Sequence, residues 1–108
     1  METLPSEQVG TKLLFENEQV RVWELAVAPG ESLDAHLHQL DYVYIVPSGG
    51  LLRFTDSKDP NSFHDTTFQD GQVSFVSVSE EGRVDGHLTN VGDKPHLNYI
   101  IELKKPKG

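Results

Sequence analysis

The residues best able to do chemistry are His36 and His38, in the run Ala35-His36-Leu37-His38. Histidines at i and i+2 of an extended segment project to one side, about 6–7 Å apart along the strand, so both can reach a single metal ion. The turn at Pro29-Gly30 predicts a strand opening near Ser32 or Leu33. On that strand Asp34 shares the parity of both histidines and is a candidate carboxylate neighbour. Two neutral imidazoles suit a divalent transition metal (Zn, Fe, Ni, Mn or Cu) better than Mg or Ca. The other reading of the same spacing is a pair of imidazoles facing water on an edge strand. His64, in Ser62-Phe63-His64-Asp65, reads as solvent-facing, and His96, after Pro95, as a structural residue opening the last strand. Arg53 and Arg21 could hold a carboxylate, although a salt bridge to one of the 17 acids is the better reading. The chain has no cysteine, which excludes thiolate metal sites, cysteine nucleophiles and disulfides. It carries neither a phosphate-cradling glycine loop nor a G-x-S-x-G elbow.

These residues need a scaffold, and composition points to strands. Eleven valines and six threonines stand against three alanines, alongside 9 glycines and 6 prolines. Val20, Val22, Glu24, Ala26 and Ala28 share one face of an extended stretch, with Arg21, Trp23, Leu25 and Val27 on the other. Leu51, Arg53 and Thr55 likewise oppose Leu52 and Phe54; Val73-Phe75 and Tyr99-Leu103 read as further strands. Turn signals recur at Pro47-Ser48-Gly49-Gly50, Asp59-Pro60-Asn61, Asp70-Gly71, Glu81-Gly82 and Gly92-Asp93-Lys94-Pro95. Short strands between such turns predict an all-β sandwich or barrel. At 108 residues the chain has room for one domain, with residues 1–10 expected as an irregular N-terminal arm.

The stretch Gly30-(x)5-His36-x-His38-(x)3-Tyr42-(x)6-Gly49 resembles the first motif of the cupin superfamily, G(x)5HxH(x)3–4E(x)6G. The lead-in from Glu18 to Glu31 is similar to that of the small group named for β-alanine degradation. Gly71 to Phe75 and His87 to Pro95 resemble the second motif, G(x)5PxG(x)2H(x)3N. The resemblance implies a double-stranded β-helix, a jelly-roll barrel of the RmlC-like type with a site in its mouth. It departs from the pattern at two places. Tyr42 stands where the family carries a metal-binding glutamate, and a neutral phenol is a poor ligand but a good hydrogen-bond donor. Counting back from Asn90, the family's histidine position falls on Gly86, leaving His87 as the histidine best placed to complete the site. The expected metal set is therefore His36, His38 and His87, with Tyr42, Asp34 and Arg53 as pocket residues.

Three function classes follow: a metal-dependent enzyme of dioxygenase or isomerase type acting on a small organic acid or metabolite, a non-catalytic binding module, or a structural cupin with a degenerate site. The net charge of −8 disfavours nucleic acid and anionic membranes as partners, so the expected partner is a small molecule. The apolar run Tyr42-Val46 is far short of the ~20 residues of a membrane span, and residues 1–7 show no signal-peptide pattern. A cytoplasmic location is expected. Apolar residues on both faces of Lys12 to Ala28 predict a second layer there, supplied by a homodimer partner.

Overall fold

The computed structural model describes residues 8–104; the part of the expected N-terminal arm formed by residues 1–7 lies outside them. Within that arm Val9 is buried, at 1 % exposure. Every regular element is a strand: β1 (Lys12–Glu16), β2 (Val20–Val27), β3 (Ser32–Leu33), β4 (His36–His38), β5 (Tyr42–Ser48), β6 (Gly50–Thr55), β7 (Phe63–Phe68), β8 (Gln72–Val76), β9 (Arg83–Asp85), β10 (His87–Asn90) and β11 (His96–Leu103). The all-β expectation holds, and no helix among the described residues is long and apolar enough to cross a membrane.

The strands form a five-stranded sheet in the order β1-β2-β11-β5-β8, a four-stranded sheet β3-β10-β6-β7 and a two-stranded sheet β4-β9. All pairings are antiparallel. The alternation read in β2 is realised: Trp23, Leu25 and Val27 are buried, while Ala26 is exposed. They meet Tyr42, Leu52, Leu88 and Ile100 from the other strands in one core. Among the described residues, that core admits one carboxylate. Glu102, 1 % exposed, accepts hydrogen bonds from Trp23 Nε1 (2.6 Å) and Arg21 Nε (2.7 Å), which compensate its removal from water.

The motif-framing residue Gly49 sits where two strands crowd. A Cβ there would fall 2.0 Å from the Phe68 carbonyl oxygen, so only glycine fits between β5 and β6. Its N–H donates to Asp70 Oδ1. Asn90 ties together the turn beside it, where Lys94 also bonds Asp70. Its buried amide donates to the carbonyls of Val27 (2.9 Å) and Lys94 (2.8 Å), and its Oδ1 accepts from Gly92 N.

Candidate metal centre

β4 and β9 form a short ribbon whose register sets His36 opposite Asp85 and His38 opposite Arg83. His36 and His38 point inward, as their parity requires, with 6 % and 1 % exposure. Their Nε2 atoms lie 3.0 Å apart, and Asp85 Oδ2 lies 3.2 Å from the first and 2.9 Å from the second. Three ligand atoms thus form a nearly equilateral triangle. For ligand bonds of ~2.1 Å meeting at right angles, neighbouring ligand atoms are ~3.0 Å apart, which is one face of an octahedron. The residues present fit a divalent transition metal bound through two imidazoles and one carboxylate. With both Nε2 lone pairs and the carboxylate turned to one point, a cation or shared protons must occupy that point.

The surrounding electrostatics favour an ionised carboxylate. Burial alone would resist the charge on Asp85, but hydrogen bonds from His36 and His38 outweigh it and hold the carboxyl well below the usual range. Arg83 Nε reaches Asp85 Oδ1 at 3.2 Å from the solvent side. Tyr42 stacks on His38, with ring centroids 4.2 Å apart and planes at 15°. Burial first, and the Asp85 charge second, push its phenol above the ordinary value, so it stays a neutral donor.

The triad forms one corner of a cavity of about 460 Å³. Its remaining wall is largely apolar, Leu25, Leu52, Phe68, Leu88 and Ile100 among it, with Tyr42, Tyr44, Thr66, Gln72 and Asn98 as neutral hydrogen-bonding groups. Asn98 has a defined polarity. The Gly49 carbonyl can only accept, so His96 Nδ1 donates to it (3.2 Å), leaving His96 Nε2 to accept from Asn98 Nδ2 (3.0 Å). Burial lowers the His96 pKa, in keeping with this neutral tautomer. Asn98 Oδ1 is consequently a buried acceptor without a protein partner. Among the described residues, His38 Nδ1 is the other buried side-chain polar atom without a partner.

Of the residues singled out from sequence, the structure brings His36, His38 and Tyr42 together. His87, Asp34 and Arg53 lie elsewhere. β10 buries Leu88 and Asn90 and therefore turns His87 outward, where its Nδ1 stands 4.0 Å from Asp34 Oδ1. Asp34 falls in the break between β3 and β4, so strand parity with the histidines is lost, and its side chain is fully exposed. His87 and Asp34 line a broad outer groove of about 1370 Å³ that shares Phe54, His64, Val84 and Gly86 with the inner cavity. His64 is exposed at that junction, stacked on Phe54. Arg53 alternates outward from Leu52 on β6 and forms a two-point ion pair with Asp65.

Asp85 is the functional residue missed from sequence. It precedes Gly86, the position aligned with the family histidine, and Gly86 ends β9 because a Cβ there would sit 1.9 Å from the Thr55 carbonyl oxygen. A histidine cannot occupy that backbone, and the carboxylate one residue earlier enters the site instead. The signal is faint: Arg83-Val84-Asp85 is a three-residue alternation between the Glu81-Gly82 turn and His87.

No family model matches the chain, and no curated protein does. Solved structures do. A cupin domain from Bordetella pertussis superposes with a TM-score of 0.72 at 22 % identity, covering 96 % of this chain and 100 % of that one. An RmlC-like cupin with a double-stranded β-helix fold from Methanocaldococcus jannaschii gives 0.62 at 14 % identity over 86 % of this chain and 77 % of its own. A sugar phosphate isomerase of the cupin superfamily from Silicibacter pomeroyi gives 0.52 at 17 % identity, over 82 % and 52 %. At these identities the likeness establishes the fold, a cupin double-stranded β-helix.

Proposed function

Taking the cupin fold as the frame, we propose that this chain is a metal-dependent protein that binds a small oxygen-donor metabolite at the His36-His38-Asp85 corner of its cavity. The observation that carries this reading is the convergence of two Nε2 atoms and one Oδ2 atom within about 3 Å of one another. A divalent ion held by His36, His38 and Asp85 would leave room for a ligand and would supply Lewis acidity there. The protein's own contribution is orientation. Tyr42 offers a neutral O–H donor beside His38, and Asn98 offers an acceptor that its neighbours cannot use. A ligand matched to both carries an oxygen donor for the metal corner and a hydroxyl or amine for Asn98. A hydroxy acid or a polyhydroxy metabolite has that pattern. Isomerase- or dioxygenase-type turnover suits such a site, and the sugar phosphate isomerase among its structural neighbours is in keeping with the former.

One observation favours a binding role without turnover. The only carboxylate lining the cavity, among the described residues, is Asp85, which its three cationic or imidazole neighbours already hold. His64, exposed and stacked on Phe54, also lines the cavity. Elemental analysis of untagged protein, followed by titration with Zn, Fe, Mn, Ni and Cu, tests the metal centre. Loaded protein is then challenged with paired hydroxylated and deoxy acids, 3-hydroxybutyrate against butyrate. Saturable 1:1 metal binding and a preference for the hydroxylated acid support the reading. No metal uptake in wild type above that of a His36→Ala/His38→Ala variant refutes it.

A further inference from the structure

A third arginine, singled out by no motif, stands at the rim of the metal corner. Gly82, with φ at +83°, donates its N–H to the Ser79 carbonyl and closes the turn before β9, so the strand opens on Arg83. Register sets Arg83 opposite His38 and Asp85 opposite His36, and residues two apart on a strand share a face. Both therefore border the inner cavity, Asp85 largely buried and Arg83 with 54 % of its side chain exposed. Among the described residues that line this cavity, Arg83 is the only lysine or arginine. Its engagement is slight. Nε donates to Asp85 Oδ1 at 3.2 Å, and among the described residues its Nη groups have no partner, although Glu80 and Glu81 stand close in sequence. Arg53 is the contrast: its Nε and Nη2 close a two-point pair with Asp65 at 2.8 and 3.1 Å. Arg21 gives its Nε to the buried Glu102. Arg83 commits a single N–H and leaves the rest of its fork facing the cavity mouth.

We propose that Arg83 is the anion-recognition residue of this cavity. Its Nη groups bind a carboxylate or phosphate on a ligand whose other oxygen sits at the His36-His38-Asp85 corner; the proposal rests on that corner being the ligand site. Asp85 makes the link. Its Oδ2 faces the two imidazoles and its Oδ1 holds Arg83, so one carboxylate separates the metal corner from the guanidinium. A ligand that reaches both is short, with its anionic group a few bonds from the oxygen donor: an α- or β-hydroxy acid, or a phosphate ester of similar reach. A polyol without an acidic group lacks this contact. Charge explains why a fixed cation belongs here. The chain carries a net charge of −8, which opposes the approach of an anion, and the rest of the cavity wall is apolar or neutral apart from its imidazoles and Asp85. A planar guanidinium matches an oxyanion at two points, and the Asp85 contact tethers it before the ligand arrives.

Isothermal titration of the full chain, with its metal content measured first, tests Arg83 against two matched pairs: 3-hydroxybutyrate with neutral 3-hydroxybutyramide, and glycerol 3-phosphate with glycerol. Wild type is expected to favour the anion of at least one pair, and the pair it favours tells carboxylate from phosphate. Arg83→Gln should weaken that anion about 10-fold while the neutral partner stays within about twofold. Arg83→Lys, which keeps the charge without the fork, should fall between. The neutral compound meets the same metal corner, so a change in metal affinity transmitted through Asp85 moves both members of a pair and cancels in their ratio. A ratio unchanged in Arg83→Gln overturns the proposal, as does wild type that binds neither anion. Both outcomes leave metal uptake standing, whereas wild type that takes up no metal refutes the metal centre, and the anion preference is still read on that sample. Magnetic resonance of Zn-loaded wild type needs no variant to fold. The Arg83 side-chain nitrogen resonances should move with the favoured anion and stay put with its neutral partner; resonances that move with neither overturn the assignment.

Discussion

Replacing Asp85 with asparagine isolates the carboxylate's charge, because it keeps the volume and one carbonyl acceptor. Asp85 Oδ2 lies 3.2 and 2.9 Å from the two imidazole nitrogens, and its side chain is 17 % exposed. Removing one partner of such a buried charged set costs about 3–5 kcal/mol. Partial exposure and the Arg83 contact at Oδ1 place the loss toward the lower end. A loss of about 3 kcal/mol corresponds to roughly a 100-fold weaker metal Kd. Competition against a chromophoric chelator, with Zn or Ni at fixed pH and ionic strength, measures this directly. His87→Ala is the matched comparison. Its ring faces the outer groove beside Asp34, so affinity should stay within about threefold of wild type, a change of less than ~0.7 kcal/mol. The opposite ranking, with His87→Ala crippling binding and Asp85→Asn harmless, would sink the assignment of Asp85 as third ligand. If both leave affinity unchanged while His36→Ala abolishes it, the site holds the metal by its imidazoles alone.

Three further outcomes follow from individual contacts. Gly86→Ala forces a Cβ against the Thr55 carbonyl and should lower stability by about 1–3 kcal/mol in urea denaturation; a neutral result would show that Gly86 does not pass the end of β6 this closely. Glu102→Leu leaves Trp23 Nε1 and Arg21 without their shared acceptor, and a loss of about 3–5 kcal/mol is expected, against near-neutrality if the buried carboxylate is idle. His96 has a depressed folded pKa from burial, so the unfolded chain takes up its proton first. Its contribution is full above the unfolded value near 6.5 and declines as pH falls through it. The stability gap between wild type and His96→Gln should therefore narrow from pH 7.5 to pH 5; a gap that widens would mean His96 is charged in the fold.

The histidine pair and the strand breaks that flank it obey different rules, one local and one tertiary. The histidine pair was legible because strand parity is a local rule: in an extended segment, i and i+2 share a face whatever the rest of the chain does. The same rule placed Trp23, Leu25 and Val27 inward on β2 and Leu52 inward on β6. It failed where strands break. Asp34 lost its expected facing in the two-residue gap between β3 and β4, and Asp85 gained the site because the chain changes sheets at Gly86, leaving β4 for β6. That change is a tertiary event, fixed by the close passage of Thr55, and no spacing rule within residues 83–90 reveals it. The two departures from the cupin pattern then explain each other. Tyr42 withdraws a carboxylate from β5, and Asp85 delivers one from β9 to the same pair of imidazoles. The site keeps one anion for its two neutral nitrogens, now on a strand whose register partner is His36 itself. This exchange also turns position 42 from a ligand into a hydrogen-bond donor stacked on His38. Reinstating a carboxylate by Tyr42→Glu would accordingly set two anions around one point. It should tighten metal binding only in protein that retains metal, and destabilise the metal-free fold by like-charge repulsion with Asp85.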